Sequence, residues 1–153
     1  MSTKNQTCLP DWYYKGEIYN PDFPVNYYGF IYLLEYDNGM KYIGKKSFWK
    51  TKTLPPLKGK KRKRRSMVES DWRTYTGSSK EIPTDVKLLH RDILVMANGK
   101  QHLSYMEENF LHRADVPLSE EYFNKNIAGR YFDNVDRKVG EWIKYYEKEL
   151  NDR

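Results

Sequence analysis

The sequence predicts an α+β domain, a small three-stranded antiparallel sheet flanked by helices. Two β-prone runs meet at an Asp-Asn-Gly turn, a later apolar run supplies a third strand, and several segments carry apolar residues at helical spacing. Residues 1–27 are rich in Tyr, Asn and Pro. Pro10, Pro21 and Pro24 break any helix there, so this stretch reads as an extended arm laid on the domain surface. Gly29 to Tyr36 is aromatic and aliphatic, Asp37-Asn38-Gly39 turns the chain, and Met40 to Gly44 returns it, the strongest short hairpin signal a sequence offers. Pro55-Pro56 and a basic run then mark residues 50–68 as a loop or insertion.

Ser79, with Pro83 in the first turns, predicts a helix to about His90, with Val86 and Leu89 on one face. Asp92 to Met96 is the third strand, stopped by Asn98-Gly99. Leu103, Met106, Phe110 and Leu111 recur at helical spacing and predict a helix over 101–115, and 124–129 reads as a turn. Val135, Val139, Trp142, Ile143 and Tyr146 place an amphipathic helix over 134–150. The organisation expected is an arm (1–27), a central domain (28–132) with a basic loop (50–68), and a C-terminal helix (133–153) packed on it.

A chain of 153 residues is about one domain's worth. Its 31% charged residues are offset by 14 Tyr, 4 Trp and 6 Phe, enough apolar area for a core and too much for a disordered chain. No stretch approaches the ~20 apolar residues of a membrane span, and the first residues lack the apolar segment of a signal peptide. Cys8 alone supports neither a disulfide framework nor a cysteine-built zinc site. These features predict a soluble, cytoplasmic protein without a membrane partner.

The charge points to a partner. Lys58, Lys60, Lys61, Arg62, Lys63, Arg64 and Arg65 are seven cations in eight positions, and removing them from the net +6 leaves −1. Such a run repels itself and cannot be buried, so it must lie exposed. A polyanion would relieve the repulsion and release counterions, which drives nucleic-acid affinity. A solvated loop or a localisation tag is the plain alternative.

Gly29-Phe30-Ile31-Tyr32, with Tyr42-Ile43-Gly44 beginning ten positions after Tyr32, resembles the signature of the GIY-YIG nuclease superfamily, with Phe30 as an extra residue in the first motif. Lys45-Lys46 follows the second motif, and 70–79 (Ser-Asp-Trp-Arg-Thr-Tyr-Thr-Gly-Ser-Ser) resembles a segment of phage-borne members. Leu103-Ser104-Tyr105-Met106-Glu107 and Phe123-Asn124-Lys125-Asn126-Ile127 are similar to the family's metal-binding helix and its downstream Asn. The resemblance covers about 28–132. Cross-strand aromatic pairing alone would explain the two tyrosines without any chemistry.

The resemblance implies a phage or mobile-element endonuclease hydrolysing phosphodiester bonds of double-stranded DNA in a bacterial or phage-infected cell. It implies one divalent ion, Mg²⁺ with Mn²⁺ as substitute, held by a single glutamate, and no small-molecule cofactor. It also admits a homodimer. Tyr32 becomes the general base and Tyr42 its neighbour orienting water or substrate. An unperturbed phenol ionises near pH 10, so Lys45 and Lys46 are expected to help. Glu107 falls on the apolar side of its helix and Glu108 ~100° further toward solvent, so Glu107 is the metal ligand. Asn124 is the orienting amide, with Asn126 an alternative and turn formation the plain reading of both. The sequence lacks the Arg and His that many members carry after the second motif; Arg73 with Tyr75, or Lys46, replaces them as the cation for the developing oxyanion. His90, His102 and His112 match no family position and read as surface or helix-terminal residues. A catalytically inactive nucleic-acid binder of the same fold is the alternative function.

Overall fold

The computed structural model describes residues 9–24, 26–132 and 147–152. Its centre is the expected hairpin, β3 (Gly29–Tyr36) and β4 (Lys41–Ser47), paired from Gly29↔Ser47 to Glu35↔Lys41 around the Asn38-Gly39 turn. Gly39 takes φ 82°, which the turn needs and glycine adopts without strain. The third strand, β7 (Leu88–Ala97), pairs antiparallel with β3 along its whole length. The register shifts by one residue beside Tyr32, leaving a bulge at Leu94 between Val95 and Ile93.

The sheet has five strands, not three. β1 (Trp12–Tyr14) runs parallel to β7, and β2 (Glu17–Ile18) extends the order to β2-β1-β7-β3-β4. The proline-rich segment cannot form a helix, but nothing prevents a short strand between its prolines. Lys15 and Gly16, both at positive φ, turn the chain between β1 and β2. Trp12 anchors this segment. It is 3% exposed, meets Phe30 edge-on at 5.0 Å, and donates its indole Nε1–H to the Trp72 carbonyl at 2.8 Å.

β3 is buried on both faces, and alternation sorts its residues into two layers. Phe30, Tyr32, Leu34 and Tyr36 join Trp12, Phe48, Trp72 and Phe123 in an aromatic core. Ile31 faces the second core with Ile43, Leu103, Leu111, Val116 and Ile127, roofed by α1 (Lys100–Arg113), which corresponds to the helix expected over 101–115.

Two local expectations fail. No helix covers 79–90; the chain turns there and enters β7. Asp37 and Lys87 exchange hydrogen bonds, Asp37 N–H to the Lys87 carbonyl at 2.9 Å and Lys87 N–H to the Asp37 carboxylate at 3.1 Å, aligning the segment with β3. The basic loop is in fact a ribbon, β5 (Trp49–Leu54) against β6 (Arg64–Glu69), with only 55–63 as its tip. The turn at 124–129 contains β8 (Asn126–Ile127), paired with β9 (Tyr131–Phe132). The helix expected over 134–150 falls mostly outside the described residues; 147–151 are helical. No helix among the described residues is long and apolar enough to cross a membrane.

The Tyr36 hydroxyl is buried with no hydrogen-bond partner among the described residues, while its ring meets Phe123 edge-on at 5.3 Å. An unpaired buried hydroxyl costs about 1–3 kcal/mol. Tyr36→Phe keeps the ring and is expected to raise stability by about 1 kcal/mol in urea denaturation. A drop in stability of similar size would reveal a hidden partner for that oxygen.

Candidate active site at the β4 edge

Two glycines let both faces of the sheet converge at β4. Gly44 stands opposite Tyr32, and any side chain on it would collide with the Tyr32 hydroxyl and ring. Gly29 lies under α1, where an added carbon would fall 2.5 Å from the Lys46 carbonyl oxygen and 2.8 Å from Leu103 Cδ2. One missing side chain makes room for the phenol. The other lets α1 sit close enough to bring Glu107 to the same edge.

Tyr32 is 2% exposed, edge-on to Trp12 and Tyr75 and 6.4 Å from the Tyr42 ring. Burial pushes its ionisation far above the usual phenol range, and the neighbouring Tyr75, Tyr42 and Glu107 push the same way. Tyr42 is half-buried and also raised, chiefly by burial; Glu81 and Glu107 add to this, and a hydrogen bond with Ser79 opposes it. Both rings are neutral phenols. The lysines expected to assist them are engaged elsewhere: Lys45 Nζ lies 3.2 Å from Glu107 Oε1 and 3.2 Å from Ser104 Oγ, while Lys46 Nζ is 2.6 Å from Asp71 Oδ1. Lys46 also sits 4.0 Å over the Tyr75 ring, whose hydroxyl bonds Ser78 Oγ at 3.1 Å.

Glu107 projects from mid-α1 with its side chain 22% exposed, while Glu108 is exposed. Beside it lies a pocket of ≈ 260 Å³ between β4 and the first turns of α1, lined in part by Lys45, Lys46, Lys100 and Ser104. Acid, phenols and cations therefore share one edge. Among the described residues no three His, Cys, Asp or Glu side chains are placed to enclose a metal ion.

Two expected site residues are committed to structural bonds. Arg73 donates Nε–H to Glu69 at 2.8 Å, Nη1 to Asn20 at 2.6 Å, and Nη2 to the carbonyls of Pro21 and Asp22 at 2.6 and 3.1 Å. Three of its hydrogen bonds thus clamp the N-terminal segment and a fourth holds Glu69, and the cation over the Tyr75 ring is Lys46 instead. Asn124, 3% exposed, accepts the Ile43 N–H at 3.0 Å and donates to the Ile43 carbonyl at 2.8 Å. Its amide acts as one more rung on the outer edge of β4, continuing the bonds between Lys41 and residues 121–123. Asn126 bonds Glu81 Oε1 at 2.6 Å and accepts the Gly129 N–H at 3.0 Å. Lys58, Lys60, Lys61, Arg62, Lys63, Arg64 and Arg65 lie exposed on the ribbon, away from this edge in sequence and sheet. His90 stacks on Tyr13, His102 accepts the Asn98 N–H, and His112 meets Tyr131, so none joins the site.

Ser79, Glu81 and Ser104 were not among the expected site residues, because polar residues in turns and on helices are ordinary. Arg91 lies inside β7 because that strand begins at Leu88, before the expected start at Asp92. It is 3% exposed, lies 4.6 Å from the Trp12 ring, and donates to the carbonyls of Pro10, Arg73 and Tyr75 at 2.7, 3.0 and 2.9 Å. A buried guanidinium is tolerated because those carbonyls replace its water.

The family described as "Putative endonuclease segE, GIY-YIG domain" matches residues 12–127, from the first residue of β1 to the last of β8. No curated protein and no solved structure gives a significant match.

Removing the Asn124 amide would orphan the buried N–H and C=O of Ile43. Asn124→Ala is expected to lose on the order of 3 kcal/mol in chemical denaturation, from two unsatisfied groups; a drop below about 1 kcal/mol would show that the amide is not the tie. The raised phenols set a second expectation. Their stabilisation is complete below about pH 10, where the unfolded phenols begin to ionise, and is lost as pH rises above it, by ~1.4 kcal/mol per unit per phenol. The alkaline stability slope of Tyr32→Phe should be shallower by that amount, and an unchanged slope would mean Tyr32 ionises normally.

Proposed function

The chain belongs to the GIY-YIG endonuclease family, and on that premise we propose that it hydrolyses phosphodiester bonds of double-stranded DNA with one divalent metal ion held by Glu107. The observation that carries this reading is the meeting of Tyr32, Tyr42 and Glu107 at one sheet edge beside Lys45 and Lys46. A binding module has no use for a partly buried carboxylate next to one buried and one half-buried phenol, because that charge would repel phosphates.

The donor set fits a hard ion. One carboxylate with room for water and phosphate oxygens suits Mg²⁺, or Mn²⁺ in its place, since Mg²⁺ keeps much of its water shell. A cation already sits at that carboxylate in the form of the Lys45 ammonium. The ion would supply neutralisation of the phosphate and help for the leaving oxygen. The chain's own groups do the rest. Tyr32 holds its proton firmly, so it serves at its phenolic oxygen as a donor and orienter of water, passing a proton only when added positive charge makes it easier to ionise. Tyr42, with Ser79 behind it, flanks that water. Lys46 is tied to an Asp71 whose side chain is 68% exposed, and such surface pairs are weak. A phosphate can therefore draw Lys46 away to stabilise developing negative charge. Lys45, which would give up Glu107 if that carboxylate held an ion, could turn to the same phosphate. The proposed setting is the cytoplasm of a bacterial or phage-infected cell.

Plasmid nicking with Mg²⁺ or Mn²⁺ tests this. The native chain is expected to cut, and Glu107→Gln to lose about a hundredfold or more of the rate while still binding DNA. If the native chain cuts under neither metal, the alternative of an inactive nucleic-acid binder takes over.

A further inference from the structure

The β5–β6 ribbon is built as more than a source of positive charge. Its six pairs, Trp49↔Glu69 to Leu54↔Arg64, form a two-stranded sheet separate from the main one. Trp49 roots it, packing against the aromatic core and donating its indole N–H to the Tyr27 carbonyl at 3.1 Å. Beyond that root Lys50, Thr51, Lys52, Thr53, Arg64, Arg65 and Met67 are all exposed. At ~3.4 Å per residue the paired part spans roughly 20 Å before the tip. Residues 50–65 hold nine Lys or Arg and no acid, and removing those nine charges from the net +6 leaves the rest of the chain at −3.

Alternation divides the ribbon into two unlike faces. One carries Lys50 and Lys52 across from Val68 and Ser66, with Arg64 near the tip. The other carries Thr51 and Thr53 across from Met67 and Arg65, with Thr51 Oγ1 only 3.6 Å from Met67 Sδ. At the tip Arg62, Lys63 and Arg65 surround a concavity with Thr53. Between Trp49 and Trp72 the sequence has no aromatic residue. Single-strand binders rely on aromatic platforms for stacking, and this element offers none. A two-stranded ribbon does fit the ~12 Å major groove of B-form DNA, whereas the major groove of A-form RNA is too narrow for side chains to read.

We propose that the β5–β6 ribbon enters the major groove of duplex DNA. Thr51, Thr53, Arg65 and Met67 meet base edges there, and Lys50, Lys52, Arg64 and the tip cations reach the phosphate walls. The inference takes its ligand class, DNA, from the proposed function and adds where and in what form the duplex is held.

The test is fluorescence anisotropy of the native chain in EDTA, with a labelled DNA duplex, one of its strands alone, and the same sequence as duplex RNA, across a salt series. The DNA duplex is expected to bind roughly tenfold or more tighter than the other two. Lys50→Gln with Lys52→Gln, both exposed and away from any core, should lower the salt slope by about 1.8, that is ~0.9 for each phosphate no longer neutralised. Guanine N7 in the bound duplex should be protected from dimethyl sulfate, which attacks in the major groove. Equal affinity for single strand or duplex RNA, an unchanged slope, or unprotected N7 overturns the inference. Because binding is read without metal, failed cleavage with these results intact would sink only the nuclease reading, and cleavage persisting without them would sink only this one.

Discussion

A phenol ring lying across a glycine on the neighbouring strand sets the geometry of this protein. Tyr32 can occupy the space above Gly44 because nothing projects from that position, and the neighbouring residues follow from that placement. With Tyr32 inside the aromatic core, Tyr42 two positions before Gly44 shares its face and stands at the edge of the sheet. The same device under α1, where Gly29 admits Leu103, brings Glu107 near both rings although helix and rings pack on opposite faces. An edge strand is where this can happen, since there side chains from both faces reach round the same open side.

The N-terminal segment is part of this architecture. Trp12 shields Tyr32 from one direction, so the resistance of that phenol to ionisation depends in part on a residue far from either motif. Arg91 ties together the Pro10 carbonyl, the 72–75 turn and β7, and Arg73 ties the same turn to residues 20–22. Two buried or half-buried guanidiniums thus hold, through backbone carbonyls, the turn that sets Tyr75 edge-on to Tyr32. The family match beginning at Trp12 fits a domain whose sheet needs that segment.

The hairpin, β7 and α1 were legible because their patterns are local: alternation around Asn38-Gly39, a short apolar run, and leucines at helical spacing. Glu107 was legible for the same reason, as its helical position alone turns it toward the hairpin. What escaped depends on distant partners. β1 is three residues long and exists only because β7 offers it an edge. The 79–90 stretch has helix-start chemistry, but its bonds to Asp37 bind it to the hairpin turn instead. Arg73 and Asn124 have the right residue types for a site, yet unpaired backbone groups of Pro21, Asp22 and Ile43 claimed their hydrogen bonds. No single-sequence pattern reports that competition.

Ribbon and site are also mechanically one piece. β5 continues β4 with only Phe48 between them, and Phe48 is wholly buried. At the other root, Ser70 bonds the Ser47 carbonyl at 2.6 Å and the Phe48 carbonyl at 2.8 Å, and Asp71 next to it holds Lys46. A load on the ribbon is therefore passed to the strand that carries Tyr42, Gly44 and the two lysines. With the cationic excess confined to the ribbon, a polyanion is attracted there first, and the body at −3 contributes little general attraction. In the proposed binding mode the short buried root would determine how far a backbone phosphate lies from Glu107. Affinity would then come from one element and chemistry from another, with Phe48 and its neighbours setting the distance between them.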